Sequence, residues 1–99
     1  MIKHIVLFKL KSFENKEEKE TKLLEIKNGL LALSNTVESL ISIKVGLNCN
    51  VNEDFDIALT TTFESMEGLE AYAKHPEHLA VGKIIREVLE SRSCVDYEF

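Results

Sequence analysis

The most restrictive feature of this sequence is its N-terminal strand. From Ile2 to Lys11, the residues Ile2, His4, Val6, Phe8 and Leu10 recur at the period of two that marks one strand face. Ile5 and Leu7 occupy the other face. A strand that is apolar on both faces at its centre must be covered on both sides, which places it inside a sheet. A chain of 99 residues has enough helix to cover one side only. The second cover must come from elsewhere, and another copy of the chain is the simplest source.

The remaining elements follow from periodicity and capping. Asn15, with Glu18 three residues later, fits a capping box and starts a helix expected over 16–33. Its stripe is Leu23, Ile26, Leu30 and Leu33, widened by Leu24 and Leu31. Gly29 inside it costs about 1 kcal/mol relative to Ala, and either permits close packing on the sheet or marks an early helix end. A second strand is expected over 39–48, with Ile41, Ile43, Val45 and Leu47 on one face, followed by a polar loop to Asp54. A third runs over 55–63, with Phe55, Ile57, Leu59, Thr61 and Phe63 opposite Asp56, Ala58, Thr60 and Thr62. Ser65 caps a short helix, Met66 to Lys74, whose inner face carries Leu69, Tyr72 and Ala73. Pro76 suits the first position of a new helix to about residue 90, which buries Leu79, Ile85, Val88 and Leu89. The last strand, 92–99, sets Val95, Tyr97 and Phe99 against Cys94, Asp96 and Glu98.

The order β-α-β-β-α-α-β describes one α+β domain over residues 1–99, a ferredoxin-like split βαβ with a four-stranded antiparallel sheet. Right-handed crossovers put the first and third strands at the centre. The helices then cover the face of Phe8, Ile43, Ile57 and Leu59. The other face, with Ile5, Leu7, Ala58, Thr60 and Thr62, is uncovered and moderately apolar, which marks an interface. Two such sheets face to face give a homodimer closed as an α+β barrel.

Charge removes several function classes. The net charge of −5 argues against nucleic acid, which needs a basic face. The lysines between Lys3 and Lys27 are interleaved with Glu14, Glu17, Glu18, Glu20 and Glu25 and read as a solvated helix face. The apolar run Ile5 to Phe8 ends at Lys9 and is too short for a signal h-region or a membrane span. A cytoplasmic location is therefore expected, with no membrane partner. In such a reducing compartment Cys49 and Cys94, isolated and without metal-ligand spacing, are expected as free thiols packed as small hydrophobes.

Chemistry concentrates at one corner. Tyr72, His75 and His78 surround Pro76, and the third histidine, His4, lies on the strand face against which this corner packs. A cavity between sheet and helices lined by His4, Tyr72 and His78 would support acid–base chemistry. The positive end of a helix dipole would keep His78 neutral and able to accept a proton. A Tyr hydroxyl beside it could stabilise an enolate or oxyanion. Neither cofactor nor metal is required. A spacing of three across a proline corner does not make His75 and His78 a metal pair. Structural readings stand beside these roles: His75 as a helix cap, Tyr72 as a core residue with a wet tip, His4 as a hydrogen-bonded core histidine. No paired carboxylates, Gly-rich phosphate loop or Ser-His-Asp arrangement is visible.

The opening Ile2-Lys3-His4-Ile5-Val6-Leu7-Phe8-Lys9, the strand end Thr62-Phe63-Glu64-Ser65, the corner Tyr72-Ala73-Lys74-His75-Pro76-Glu77-His78 and the terminal Val95-Asp96-Tyr97 together resemble the stress-responsive A/B barrel (Dabb) family. The resemblance runs over nearly the whole chain. It implies a ferredoxin-like fold and a dimeric α+β barrel. Many members have no assigned reaction, but the family includes a plant polyketide cyclase, olivetolic acid cyclase, which performs a cofactor-free aldol condensation. By that resemblance His78 and Tyr72 are catalytic and His4 matches the strand histidine. A further pocket histidine of the cyclase falls at Ile57 here, which argues against a shared substrate.

Three functional readings result. The first is a dimer with a small apolar pocket that performs cofactor-free lyase- or cyclase-like chemistry on a small organic molecule, with His78 as base, Tyr72 as acid or oxyanion donor and His4 in support. The second is a non-catalytic stress-associated or ligand-binding dimer. The third, a cofactor-independent monooxygenase, ranks last because the chain has no Trp and no oxygen-handling motif.

Overall fold

The computed structural model describes residues 1–99 and follows the order β1 (Ile2–Leu10), α1 (Lys16–Ala32), a 3-10 turn (Leu33–Asn35), β2 (Ser42–Leu47), β3 (Ile57–Phe63), α2 (Met66–Lys74), α3 (Pro76–Val88) and β4 (Leu89–Glu98). The four strands pair antiparallel in the order β2-β3-β1-β4, so the strand with two apolar faces is central. His4 lies opposite Thr61 on β3 and Asp96 on β4, and this register places the candidate site.

All helices lie on one face of the sheet. Val6, Phe8, Ile57 and Leu59 project from that face and meet Ile26 and Leu30 of α1 and Ile85 of α3, all buried. Each such side chain contributes roughly 1.5–3 kcal/mol by leaving water. Asn15 caps α1 as its sequence context suggests, its Oδ1 accepting from the Glu18 N–H at 2.8 Å. Ser65 caps α2 through the Gly68 N–H at 3.3 Å. Neither reading of Gly29 holds, because its neighbour is a helix and not the sheet, and an added side-chain carbon would make only ordinary contact. The helix continues past it, and a Cβ there would meet Val81 of α3 at 3.4 Å.

Several sequence expectations are corrected. Leu79 is 51% exposed, and α3 instead buries a face through His78, Val81, Ile85 and Val88. Leu79 is one residue past His78, about 100° around the helix and off that face. The same offset exposes Ala73 beside buried Tyr72, and Leu24 beside half-buried Leu23. β2 starts at Ser42, not residue 39, because Val37 and Leu40 turn into the core first and Ile41 is left exposed. β3 starts at Ile57, not Phe55. Asp56, expected on the polar side of the strand, is buried: its Oδ2 accepts from the Leu10 N–H at 2.8 Å and its Oδ1 pairs with Lys19 at 2.9 Å. α3 ends at Val88, and Leu89 already pairs with Leu10 in β4. Both cysteines are exposed in the single chain, and so are not packed as small hydrophobes.

The opposite face of the sheet carries no helix. Ile5, Leu7, Ala58 and Thr60 lie there as expected, and β4 adds larger apolar groups to them. Leu7 is 36% exposed, Val95 54%, Tyr97 45% and Phe99 60%. Thr62, expected to be open, is buried on this face, with its Oγ1 accepting from Lys3 Nζ at 3.1 Å. That ammonium also sits 4.7 Å from the centre of the Phe99 ring. No helix is long and apolar enough to cross a membrane.

Candidate functional site

The corner at Pro76 separates the two histidines beside it. Proline restricts the preceding residue to extended backbone, and His75 sits at φ −62°, ψ 135°. Its Nδ1 accepts from the Glu77 N–H at 3.1 Å, which makes it the N-cap of α3. His75 borders a separate groove with Thr36, Glu38 and Ala71. The structural reading of His75 therefore applies. His78, in the first turn of α3, points instead toward the sheet.

There it borders a cavity of about 250 Å³ enclosed by sheet and helices. His4, Val6, Phe8 and Leu59 line it from the sheet, Leu30 from α1, and His78, Gly82, Ile85 and Arg86 from α3, with Leu89 and Arg92 closing the β4 side. Tyr72 is 1% exposed and does not line the cavity. Its ring lies behind His78, with ring centres 4.4 Å apart, and is 6.4 Å from His4. His4, Tyr72 and His78 thus form one aromatic cluster, of which the cavity exposes only the two histidines. A larger, open depression of about 790 Å³ runs along the charged side of α1 but contains neither histidine nor tyrosine.

Two polar atoms in this cluster are orphaned. The Tyr72 hydroxyl and His78 Nδ1 are the buried side-chain polar atoms without a hydrogen-bond partner within the protein. Burial pushes the Tyr72 pKa up to about 12, so the phenol keeps its proton. Burial also lowers the His78 pKa. The Ala73 carbonyl opposes that shift without making a well-aligned hydrogen bond, while His4, Arg92 and Arg86 reinforce it. His78 is therefore a neutral imidazole near pH 7, as the helix-dipole argument required, but desolvation is the leading cause.

His4 is not isolated in the core. Its Nδ1 lies 2.5 Å from Asp96 Oδ1. That hydrogen bond directs the Nδ1–H to a carboxylate and leaves Nε2 as the free ring nitrogen. Cys94 Sγ is 3.6 Å from both His4 Nδ1 and Asp96 Oδ1. Partial burial, then the Asp96 charge, push the Cys94 thiol up, which keeps it protonated and weakly nucleophilic. His4, Cys94 and Asp96 are also the one group of metal-ligating type, with ligand atoms within 4.8 Å of one another. A tetrahedral zinc ion would set S···N and S···O edges of about 3.5 Å, but it would have to break the His4–Asp96 bond.

Asp96, Arg86 and Arg92 are site residues that sequence reasoning missed. Arg86 was within reach, because His78, Gly82 and Arg86 recur at a spacing of four on one helix face. Asp96 and Arg92 join the site only through the β1–β4 register, which no local pattern specifies.

The family profile of the stress responsive A/B barrel domain matches residues 2–99. The chain belongs to that family. Among curated relatives, the stress-response A/B barrel domain-containing protein DABB1 of Arabidopsis thaliana is 29% identical over 97 residues. Those cover 98% of this chain and 46% of DABB1, so the chain spans about half the length of that relative. Among solved structures, a dimeric protein of unknown function and ferredoxin-like fold from Bacteroides fragilis is 46% identical. It has a TM-score of 0.94, with 99% of this chain and 95% of that one covered. A hydroxynitrile lyase from Passiflora edulis shares the fold at 20% identity and a TM-score of 0.79, with 97% and 90% covered. At that identity the likeness concerns the fold alone.

Proposed function

We propose that this A/B barrel domain is a homodimer that binds a small organic molecule in the His4–His78 cavity and moves a proton on it without a cofactor. The observation that carries the reading is His78 at the edge of the cavity beside His4, with the Tyr72 ring 4.4 Å behind it and the Tyr72 hydroxyl and His78 Nδ1 both unpaired. A buried polar group left unpaired costs roughly 1–3 kcal/mol, and in a folded protein such a cost calls for an explanation. Proton transfer to and from a bound molecule is the explanation that uses both atoms.

In this reading neutral His78 takes the proton from the carbon next to a carbonyl. The electron pair moves onto the carbonyl oxygen, which the Tyr72 O–H would reach only on a shift of the His78 ring that covers it. The enolate carbon then attacks a second carbonyl, and the resulting alkoxide takes the proton back from the His78 imidazolium. One C–C bond forms, nothing is oxidised or reduced, and the reverse sequence is a lyase reaction. His4, oriented by Asp96, supports the bound molecule through Nε2. The likeness to olivetolic acid cyclase agrees with these roles for His78, Tyr72 and His4. Ile57, which stands where the cyclase has its further histidine, is buried and outside the cavity, which argues against a shared substrate.

The homodimer closes through the open sheet face, with Ile5, Leu7, Ala58 and Thr60 at its centre and Val95, Tyr97 and Phe99 beside them. The dimeric state of the Bacteroides fragilis relative supports this assembly. Free cysteines agree with a cytoplasmic setting.

The test is hydrogen–deuterium exchange at the α-carbon of β-keto acids and simple ketones in D2O, followed by NMR. Wild-type protein is expected to accelerate exchange, and His78→Ala to abolish the acceleration while leaving the dimer intact. Exchange equal with and without protein would contradict the reading. A non-catalytic ligand-binding dimer is favoured by one observation, the absence of Tyr72 from the cavity lining. That reading expects ligand binding with no accelerated exchange.

A further inference from the structure

The lining of the cavity has a charge opposite to that of the chain. The protein carries a net charge of −5, yet none of the 11 residues around the cavity is acidic and four, His4, His78, Arg86 and Arg92, are basic. With His78 held neutral, the permanent charge on the lining is the two guanidinium groups, which do not lose their protons in proteins, while the Asp96 carboxylate sits behind the lining on His4. Neither arginine has a carboxylate partner: the five ion pairs of the chain engage His4, Lys9, Lys16, Lys19 and Lys22. Glu90, the acid closest in sequence to Arg92, turns to Lys9 at 3.1 Å.

The two ends of the cavity differ. Val6, Phe8, Leu30, Leu59 and Ile85 are buried and make an apolar floor, whereas Arg86 and Arg92 are exposed and stand at the mouth. Gly82 makes room for this arrangement. A Cβ at that position would lie 3.2 Å from Arg86 Nη1, so the guanidinium folds back over the glycine along the cavity wall. The volume of about 250 Å³ limits the occupant. An apolar cavity of about 150 Å³ accepts benzene, and drug-sized ligands need roughly 300–1,000 Å³. One ring or a short acyl chain fits, with space for a single polar substituent at the mouth.

We propose that the cavity selects small organic carboxylates, of single-ring or short-chain size, with the apolar end on the floor and the carboxylate between Arg86 and Arg92. The planar guanidinium fork matches a carboxylate in a way a lysine would not. This specificity rests on the reading of the cavity as the ligand site. It deepens that reading, because a carboxylate anchored at the mouth holds the adjacent carbon of a keto acid within the cavity that His78 borders.

The experiment is a calorimetric titration of the dimer with phenylacetate and hexanoate, each paired with its neutral amide, with methyl NMR shifts of Leu59 and Ile85 reporting the site. Wild-type protein is expected to bind the carboxylates at least tenfold more tightly than the amides, with the preference shrinking as salt is raised. In the doubly substituted Arg86→Gln, Arg92→Gln protein the preference should vanish while weak amide binding and the dimer persist. Equal affinity for acid and amide would overturn the proposal, as would an undiminished preference in the double variant or no carboxylate binding into the low-millimolar range. Carboxylate binding without α-proton exchange defeats the catalytic reading alone. Exchange on neutral ketones with no preference for carboxylates defeats this proposal alone.

Discussion

Tyr72 and His78 titrate in opposite directions for the same reason, burial, and their pH dependences therefore differ in sign. The Tyr72 pKa rises from 10.0 to about 12 on folding, so between those values the unfolded chain gives up a proton that the folded one keeps. Its contribution is complete below pH 10 and is lost as pH rises toward 12, up to roughly 2–3 kcal/mol. Urea unfolding across this range should show that loss in the wild type, and the Tyr72 share of it should be absent from Tyr72→Phe. For His78, whose pKa falls on folding, stability is complete above 6.5 and declines as pH drops below it. Tyr72→Phe separates stability from chemistry. It removes an orphaned hydroxyl and keeps the ring contacts, so at pH 7 stability should stay level or rise by up to about 1 kcal/mol. The α-proton exchange rate should fall about 100-fold, as when one oxyanion donor is lost. A substantial loss of stability would mean that the hydroxyl has a partner in solution.

Helix α3 carries more of the site than any other element, and its placement depends on α1. At Gly29 the two helices come close enough that an added Cβ would meet Val81 at 3.4 Å. Gly29→Ala adds a methyl at ordinary contact distance and a better helix former, so stability should rise by up to about 1 kcal/mol in thermal or urea unfolding. Gly29→Leu should overpack the contact, cost roughly 1–3 kcal/mol and displace α3 from the cavity. Equal stability for both variants would show that the helices are not in contact there. At this scale much was legible in the sequence. Asn15, Ser65 and Pro76 mark helix starts through capping chemistry that operates within one turn, and β1 and β3 declare themselves by alternation. The misreadings fall where a residue one step off the buried stripe is apolar as well, as at Leu79 beside His78 and Leu24 beside Leu23. Strand ends were also hard to place. At Ile41 and Phe55 apolar residues continue past the last sheet pairing, and only tertiary packing determines where pairing stops.

At the scale of the whole molecule, β1 requires a second cover, and β4 is the strand that makes the open face large enough to attract one. Leu7 alone is a modest patch, but with Val95, Tyr97 and Phe99 the exposed apolar surface extends across the β1–β4 half of the sheet. Leu7→Asp or Ala58→Asp places a charge on that face and should convert a particle of twice 11.3 kDa into a monomer in sedimentation experiments. A wild-type monomer at micromolar concentration would contradict the assembly. The site is likewise a product of the whole molecule. The proximity of Tyr72 and His78 could be read from local spacing, because only five residues, Pro76 among them, separate them. The Asp96 carboxylate on His4 and the arginine pair at the cavity mouth could not, since they depend on strand register and on the crossing of α3 over the sheet.

The central claim is proton transfer by a neutral, desolvated His78. It is tested most directly by the pH profile of protein-accelerated α-proton exchange in D2O, wild type against His78→Gln. A base with a lowered pKa predicts a wild-type rate that holds steady as pH falls to 6.5 and drops only below it, with no acceleration in the variant at any pH. A variant that matches the wild type, or a rate that begins to fall well above pH 6.5, would contradict it.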